Sequence, residues 1–241
     1  MSNHTDPIES ELVVLLHGLL RRAGCWRRLR RRLERAGYRT VAWTYPSLWW
    51  TIQDLGRDCR ERLAVHDADP AVRTFHVVTH SLGGIILRHA LTLGVPAKLG
   101  RVVMLAPPNR GSAWARRLGP WLGWLAPALR QLSDAPDSFV NRLGSERYDV
   151  RSENGPGETG TGVPAVRIAV IAAARDAKCP LPTTHLPGEI AHITVRGRHT
   201  FIMYRRDVAD AVLACLEAAA PASQVAGSPS LAVGAGQKPG P

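Results

Sequence analysis

The chain has 241 residues, 45% of them hydrophobic and 21% charged, which favours one domain with a substantial hydrophobic core and argues against disorder. Its four cysteines are scattered, with no close pair, which excludes a disulfide scaffold, a zinc ribbon and a redox motif. We expect all four to be reduced free thiols: Cys25, Cys59, Cys179 and Cys215. The net charge of +11 predicts a basic surface, but no base-reading motif accompanies it, so specific nucleic-acid binding is not expected.

Six short runs rich in β-branched residues alternate with patterns typical of helices. The predicted strands span residues 12–16, 40–44, 74–78, 101–105, 165–172 and 192–195. Helices are predicted near residues 25–36, 52–65, 82–93 and 207–219. Strands that are apolar on both faces and alternate with helices predict an α/β fold, with a doubly wound, mostly parallel, six-stranded sheet and right-handed crossovers.

Two segments interrupt this alternation. The segment 106–164, after the fourth predicted strand, is too long for an ordinary connection and is expected to be a cap-like insertion. The last residues, 221–241, are poor in charge and rich in Pro, Gly and Ser, which predicts a disordered tail. One domain is therefore expected over residues 1–220, with the insertion inside it.

The N-terminal segment carries no pattern of export or membrane insertion. Its opening residues, MSNHTDPIESE, are polar and net acidic, unlike the basic start of a secretory signal. The apolar stretch 12–20 is broken by His17 and Gly18 and is much shorter than the roughly 18 residues that a membrane span needs. A cytoplasmic location is therefore expected.

Nine arginines lie between positions 21 and 39, in and around the segment CWRRLRRRLERAG. Cys25, Leu29, Leu33 and Ala36 recur there at helical spacing, which predicts a helix with one apolar stripe. The first interpretation is a surface helix that packs on the sheet and exposes its arginines to water. The second is attraction to anionic lipid head groups, which would give the protein a peripheral contact with an anionic membrane.

The segment VVTHSLGGIILRHA reads as a strand, a sharp turn and a helix, with Ser81 at the turn. This is the context of a nucleophile elbow, in which a strained turn lifts a serine hydroxyl above the sheet. The alternative is an ordinary serine N-cap. Gly83 and Gly84 favour the elbow, because each glycine early in a helix costs up to about 1 kcal/mol relative to alanine and so needs a reason such as close packing.

The segment LVVLLHGLL places His17 and Gly18 directly after the first predicted strand. Acyl transfer needs N–H donors where the oxyanion develops, and a glycine lets the backbone turn inward to supply one. The expected donors are the backbone N–H groups of Leu19 and of Leu82, the residue after the candidate nucleophile.

Together these motifs resemble those of the α/β-hydrolase superfamily, and more narrowly those of small bacterial lipase- and esterase-like serine hydrolases. The resemblance runs from about residue 12 to residue 216 and rests on LLHGLL, YPS, VVTHSLGG, LAPPNRGS and GRHTFIM. It implies an α/β-hydrolase fold whose cap is the insertion 106–164, and an activity that needs no cofactor and no metal. The elbow departs from the usual pattern, because Thr79 stands where glycine is usual.

The same resemblance implies the base and the acid, since the superfamily's chain order is nucleophile, acid, histidine. His199 lies just after the last predicted strand, where this fold presents its base; His192 and His185 are the alternatives. Asp176 lies after the fifth predicted strand, where the acid is expected, although alanine follows it instead of the usual glycine. Glu189 and Asp149 are the alternative acids.

The first half of the insertion holds three tryptophans, Trp114, Trp121 and Trp124, which either line an apolar acyl pocket or pack the insertion onto the sheet. Trp49 and Trp50 likewise either lie at the mouth of the acyl pocket or belong to the hydrophobic core. Asn109 is expected to stabilise the loop after the fourth strand.

The expected function is hydrolysis of carboxylic esters, with a lipophilic acyl ester or lipid as the substrate, through a Ser-His-Asp triad and an acyl-enzyme. An acyltransferase or a thioesterase on the same triad is the first alternative. A non-catalytic binding module on the same scaffold is the second, and it is disfavoured because Ser81, Asp176 and His199 are all present.

Overall fold

Over residues 11–143, 149–150 and 165–218, the part of the chain that the computed structural model describes, seven strands form one sheet. They are β1 (Glu11–Leu16), β2 (Arg39–Trp43), β3 (Thr74–His80), β4 (Leu99–Leu105), β5 (Asp149–Val150), β6 (Ala165–Ala173) and β7 (Ala191–Val195). The strand order is β2-β1-β3-β4-β6-β5, with β7 also paired to β6, and every pairing is parallel. The six predicted strands and their parallel arrangement are confirmed. The two-residue β5 is too short for a periodicity to reveal.

The helices are α1 (Arg27–Arg35), α2 (Ile52–Ala68), α3 (Leu82–Thr92), α4 (Ala113–Leu122), α5 (Pro127–Gln131), α6 (Phe139–Arg142), α7 (Leu181–Thr184) and α8 (Arg206–Glu217). Two 3₁₀-helices, Ala23–Trp26 and His199–Tyr204, precede α1 and α8. The predicted helices near 25–36, 52–65, 82–93 and 207–219 correspond to α1, α2, α3 and α8. Within the described residues no helix is both long and apolar enough to cross a membrane.

The two faces of the sheet carry separate cores. On one face, Leu12, Val14 and Leu16 of β1 pack with the buried side chains of α2 and α3. On the other face, Val13 and Leu15 pack with those of α1 and α8. Successive residues of a strand point to opposite faces, so a strand buried on both sides must be apolar throughout, as β1 is after its first residue.

Helix α1 buries its apolar stripe and exposes its arginines. Leu29 and Leu33 are buried against the sheet, whereas Arg27, Arg28 and Arg31 are exposed. The helix therefore packs on the sheet and exposes arginines, as the first interpretation predicts. The four cysteines form no disulfide with one another, as expected, and all four are buried.

The described half of the insertion consists of α4, α5 and α6. Helix α4 ends two residues after Pro120, and α5 begins at Pro127, where the missing proline N–H costs the helix nothing. The glycine-rich second half of the insertion, apart from β5, and the tail 221–241 lie outside the described residues.

Candidate active site

Ser81 is the single residue between β3 and α3, and its backbone is strained. Its φ of 51° and ψ of −121° lie outside the regions that L-residues favour. Its N–H donates to the Leu105 carbonyl at 2.9 Å, and its own carbonyl accepts from Gly84 N–H at 2.9 Å. The Ser81 side chain makes no capping hydrogen bond, and an N-cap residue has extended backbone, so the N-cap alternative does not apply.

The two glycines after Ser81 allow α3 to approach the neighbouring strands closely. A β-carbon at Gly83 would lie 2.6 Å from the Leu16 carbonyl oxygen and 2.8 Å from that of His17. A β-carbon at Gly84 would lie 3.3 Å from the side chains of Pro107 and Thr79. Close packing between helix and sheet therefore explains why glycines stand in the first turn of α3 despite their cost to the helix.

The structure brings Ser81, His199 and Asp176 into one hydrogen-bonded chain. His199 opens the 3₁₀-helix after β7, and its Nε2 lies 2.8 Å from Ser81 Oγ. Its Nδ1 lies 2.7 Å from Asp176 Oδ2. All three residues are buried. An imidazole held by a carboxylate on one side and facing a hydroxyl on the other can take the hydroxyl proton and be stabilised as it does so.

The other carboxylate oxygen of Asp176 fixes the turn after β6. Oδ1 accepts hydrogen bonds from the N–H groups of Lys178, at 2.9 Å, and of Cys179, at 2.8 Å. A side chain that accepts from the backbone two and three residues later closes a turn without needing glycine at the next position. The exposed Ala177 therefore fits where the resembling proteins have glycine.

The loop after β1 lies directly against Ser81. A β-carbon at Gly18 would lie 2.8 Å from His80 Nδ1 and 3.2 Å from Ser81 Cβ, so a larger residue would be crowded against the elbow here. His17 Nδ1–H donates to the Gly18 carbonyl at 2.8 Å, and the His17 ring stacks on Tyr45 at 3.9 Å. The Tyr45 hydroxyl donates to the His17 carbonyl. Burial lowers the pKa of His17, which favours the neutral ring in this role.

His80 takes part in the site although its sequence context, inside the elbow, offered no reason to select it. The residue is buried, and its Nε2–H donates to the backbone carbonyl of His199 at 3.0 Å. Burial, with the neighbouring His199 as the second cause, lowers the pKa of His80 well below its usual value. No pattern in the sequence could have revealed this contact, because it joins residues 119 positions apart.

A cavity of about 300 Å³ opens above Ser81 and His199. Trp114 lines it, with Lys178 Nζ 4.8 Å from the centre of the indole ring. Most of the other lining residues are apolar; they include Leu19, Leu20, Ala115, Leu129 and Leu132. Such a lining suits an apolar group next to the hydroxyl.

Trp121 and Trp124 do not line this cavity, so the pocket interpretation, under which all three insertion tryptophans bind the substrate, is wrong for these two and fits only Trp114. They are 78% and 81% exposed. Helix α4 buries Ala115 and Gly119 on the side that faces the protein, and Trp121 at its C-terminal end is turned to solvent. Trp49 and Trp50 are also exposed, which excludes the core interpretation for them.

Three of the four alternative residues, His185, Glu189 and His192, lie in a different cluster. The rings of His185 and His192 stack at 3.8 Å, and His185 Nδ1 bonds Glu189 Oε1 at 2.7 Å. His192 Nε2 instead contacts Thr184 Oγ1 at 3.0 Å. Asp149 lies in β5, opposite Ala165.

Asn109 is buried and donates to the Thr184 carbonyl at 2.8 Å, tying the loop after β4 to α7.

Two sets of described side chains bring potential metal-ligating atoms within 4.8 Å of one another: Asp176, Cys179 and His199, and His185, Glu189 and His192. In the first set the carboxylate and the imidazole are bonded to each other, which is the arrangement that proton transfer requires. Coordination of an ion by both would replace that bond.

The fold matches known proteins. A family model described as the alpha/beta hydrolase family matches residues 13–236. The mature lipase of Bacillus licheniformis is similar in structure, with a TM-score of 0.60 and 16% identity over 83% of this chain and 88% of that one. A metagenomic carboxyl esterase has a TM-score of 0.57 and 20% identity over 80% and 66%. A monoacylglycerol lipase of Paleococcus ferrophilus has a TM-score of 0.53 and 17% identity over 85% and 93%. No curated protein matches this sequence.

Proposed function

This chain belongs to the alpha/beta hydrolase family, and on that premise we propose that it is a serine hydrolase that cleaves carboxylic esters with an apolar acyl group. The observation that carries the proposal is the buried hydrogen-bonded chain from Ser81 Oγ through His199 to Asp176, with links of 2.8 and 2.7 Å. It stands at a strained turn beside a mostly apolar cavity.

In the proposed first step, His199 Nε2 accepts the Ser81 proton while Oγ attacks the ester carbonyl carbon. Asp176 holds Nδ1–H, which fixes the tautomer and stabilises the imidazolium. His199 then protonates the departing alcohol, leaving an acyl group on Ser81. In the second step His199 takes a proton from water, the hydroxide attacks the acyl-serine, and the acid leaves as Oγ recovers its proton.

The oxyanion of both tetrahedral intermediates is proposed to rest on the N–H groups of Leu19 and Leu82. Leu82 N–H opens α3, where the helix dipole favours negative charge. The Gly18 carbonyl and the Leu19 N–H belong to one trans peptide and point in opposite directions. His17 Nδ1 and Arg21 N–H hold that carbonyl, which favours a Leu19 N–H directed toward Ser81. One such donor contributes roughly 3–4 kcal/mol to lowering the barrier.

The cavity supports an apolar acyl group, because its lining beside Ser81 includes four leucines, Ala115, Pro108 and the Trp114 ring. The similar structures reported above are those of a lipase, a carboxyl esterase and a monoacylglycerol lipase, which favours oxygen esters over thioesters as the first substrates to test.

An active-site probe tests the nucleophile. A fluorophosphonate should label the wild-type protein and fail to label Ser81→Ala. Ser112 is the matched control, because it is the other serine that lines the cavity and its hydroxyl is engaged by the Lys178 carbonyl and the Ala115 N–H. Labelling should persist in Ser112→Ala. Labelling that persists in Ser81→Ala, or is lost only in Ser112→Ala, would overturn the assignment of Ser81.

A second experiment separates hydrolysis from acyl transfer. The acyl-enzyme formed from a p-nitrophenyl ester partitions between water and an added alcohol or thiol. A serine hydrolase should release the free acid as the main product at millimolar acceptor. Predominant transfer to the acceptor would instead identify an acyltransferase.

A further inference from the structure

The arginines of α1 form one wall of a basic groove. The groove has a volume of about 620 Å³ and lies between α1, the 3₁₀-helix His199–Tyr204 and the start of α8. Its cationic lining residues are Arg28, Arg31, Arg32, Arg35, Arg205 and Arg206. The one acidic residue that lines it, Asp210, is bonded to Arg32, and Asp207 outside it is bonded to Arg205. The groove therefore carries a large excess of positive charge.

Packing does not explain this charge. Helix α1 is attached to the sheet by Leu29 and Leu33, and any well-solvated polar residue would serve on its outer face. Six of its nine residues are arginine, and pairs four residues apart, such as Arg27 with Arg31 and Arg31 with Arg35, repel each other along the helix. An anionic partner would turn this repulsion into attraction.

The groove adjoins the candidate active site. The 3₁₀-helix His199–Tyr204 lines the cavity with its first two residues, His199 and Thr200, and lines the groove with its last two, Met203 and Tyr204. At about 2 Å of rise per residue, the two sites are separated by roughly 6 to 10 Å along this segment. Arg28 lies over the Tyr204 ring at 6.0 Å, which links the helix α1 wall to this segment.

Two exposed apolar side chains lie in the segments around the groove and the cavity. Phe201, in the middle of the 3₁₀-helix, is 62% exposed, and Leu20, which lines the cavity beside Arg21, is 69% exposed. A soluble phosphate would bind the guanidinium groups but would leave these side chains in water. A bilayer surface offers phosphates to the arginines and an apolar boundary to Phe201 and Leu20 at the same time.

We propose that the arginine groove, together with Phe201 of the 3₁₀-helix between groove and cavity and Leu20 at the cavity, forms a docking surface for an anionic phospholipid membrane. Guanidinium groups pair with lipid phosphates in a bidentate manner, and Phe201 and Leu20 enter the interface. The surface adds a partner to the proposed function without depending on the acyl-transfer chemistry.

Vesicle co-sedimentation tests the proposal. The full chain carrying Ser81→Ala, which prevents turnover, is mixed with vesicles of phosphatidylcholine alone or with 30% phosphatidylglycerol. Binding is expected only with the anionic vesicles and is expected to weaken as salt shortens the range of the attraction. Absence of binding to anionic vesicles at low salt would overturn the proposal, and ester hydrolysis by wild-type protein would remain a separate result.

Matched triple variants distinguish a defined surface from net charge. Replacing Arg28, Arg31 and Arg35 with glutamine should lower the partition coefficient about fivefold per arginine, and thus roughly a hundredfold. The control replaces Arg57, Arg60 and Arg62 of α2, which packs on the opposite face of the sheet, and removes the same charge. Equal losses in the two triples would overturn the proposal.

Competition identifies the occupant. Inorganic polyphosphate and a DNA duplex are each added to vesicle-bound protein at the same phosphate concentration as the lipid. The proposal expects most of the protein to stay on the vesicles. Displacement by polyphosphate would identify a soluble anion as the ligand, displacement by DNA would identify a nucleic acid, and either result would overturn membrane docking.

Discussion

His80 Nε2–H donates a hydrogen bond to the backbone carbonyl of His199 at 3.0 Å. The residue before the candidate nucleophile thus holds the backbone of the candidate base. Because burial lowers the pKa of His80, the ring is neutral, and the bond assigns its proton to Nε2. Its bare Nδ1 has no hydrogen-bond partner within the described residues. We infer that His80 is a positioning residue for the proposed triad.

Removing this bond should slow turnover while leaving substrate binding largely intact. In His80→Leu we expect kcat to fall by roughly 10- to 100-fold, because a displacement of about 1 Å at a reacting group costs on that order. His80→Gln, whose amide N–H can reach the same carbonyl, should restore most of the rate. The measurement is kcat and KM on a p-nitrophenyl ester. Equal rates for the Leu and Gln variants would refute the positioning role.

Replacing Asp176 with asparagine tests the carboxylate. The amide cannot stabilise the imidazolium, and its NH₂ group favours the wrong tautomer of His199, so kcat should fall by about 10³- to 10⁴-fold. Glu189→Gln is the control, because Glu189 is the carboxylate paired with the other histidine cluster, at His185. Its kcat should change less than twofold. A comparable loss in Glu189→Gln would move the acid to that cluster.

A methyl group at Gly83 should damage both stability and activity. The new β-carbon would lie 2.6 Å from the Leu16 carbonyl oxygen and 2.8 Å from that of His17, and backbone atoms can move less than the end of a side chain. We expect Gly83→Ala to lower the free energy of unfolding by about 1–3 kcal/mol. At Gly24 a β-carbon meets nothing within 4 Å, so Gly24→Ala should stay within about 0.5 kcal/mol. Urea unfolding of the two variants gives the comparison.

Trp114 should determine the preference for acyl length. In Trp114→Ala the cavity loses its largest apolar side chain, so KM for a long-chain p-nitrophenyl ester should rise several-fold more than KM for the acetate ester. Trp121→Ala removes an indole of the same size from the solvent-exposed end of α4 and should leave the ratio unchanged. An unchanged ratio in Trp114→Ala would place the acyl group elsewhere.

Stability should fall on acidification below about pH 6.5. Burial lowers the pKa of His17, His76 and His80 below the value of 6.5 that they take in the unfolded chain. Below pH 6.5 the unfolded state therefore binds more protons than the folded state, and the free energy of unfolding decreases by up to about 1.4 kcal/mol per pH unit for each such histidine. Urea unfolding at pH 8, 6 and 5 measures the slope.

The His80→Gln variant isolates one of these contributions. It removes one buried imidazole, so its free energy of unfolding should decline less steeply than that of the wild type between pH 6.5 and 5. Parallel curves for the two proteins would mean that His80 takes up its proton equally in both states.

Local patterns in the sequence determined the strands, the parallel sheet and the position of Ser81. The strands could be predicted because burial on both faces makes a strand such as β1 apolar throughout after its first residue. The position of Ser81 could be predicted because the two glycines that follow it indicate close packing of α3 against the sheet. Asp176 and His199 came from the chain order implied by the resemblance, and the distances of 2.7 and 2.8 Å required the folded chain.

Only the tertiary structure decided the contact of His80 with His199, the exposure of Trp121 and Trp124, and the two-residue strand β5. The single groove formed by Arg28 on α1 and Arg206 on α8 was likewise beyond the sequence. Each of these depends on which distant segment lies opposite a residue. The sequence shows which side chains are apolar, polar or small. Which distant residue each of them contacts follows only from how the helices pack on the sheet.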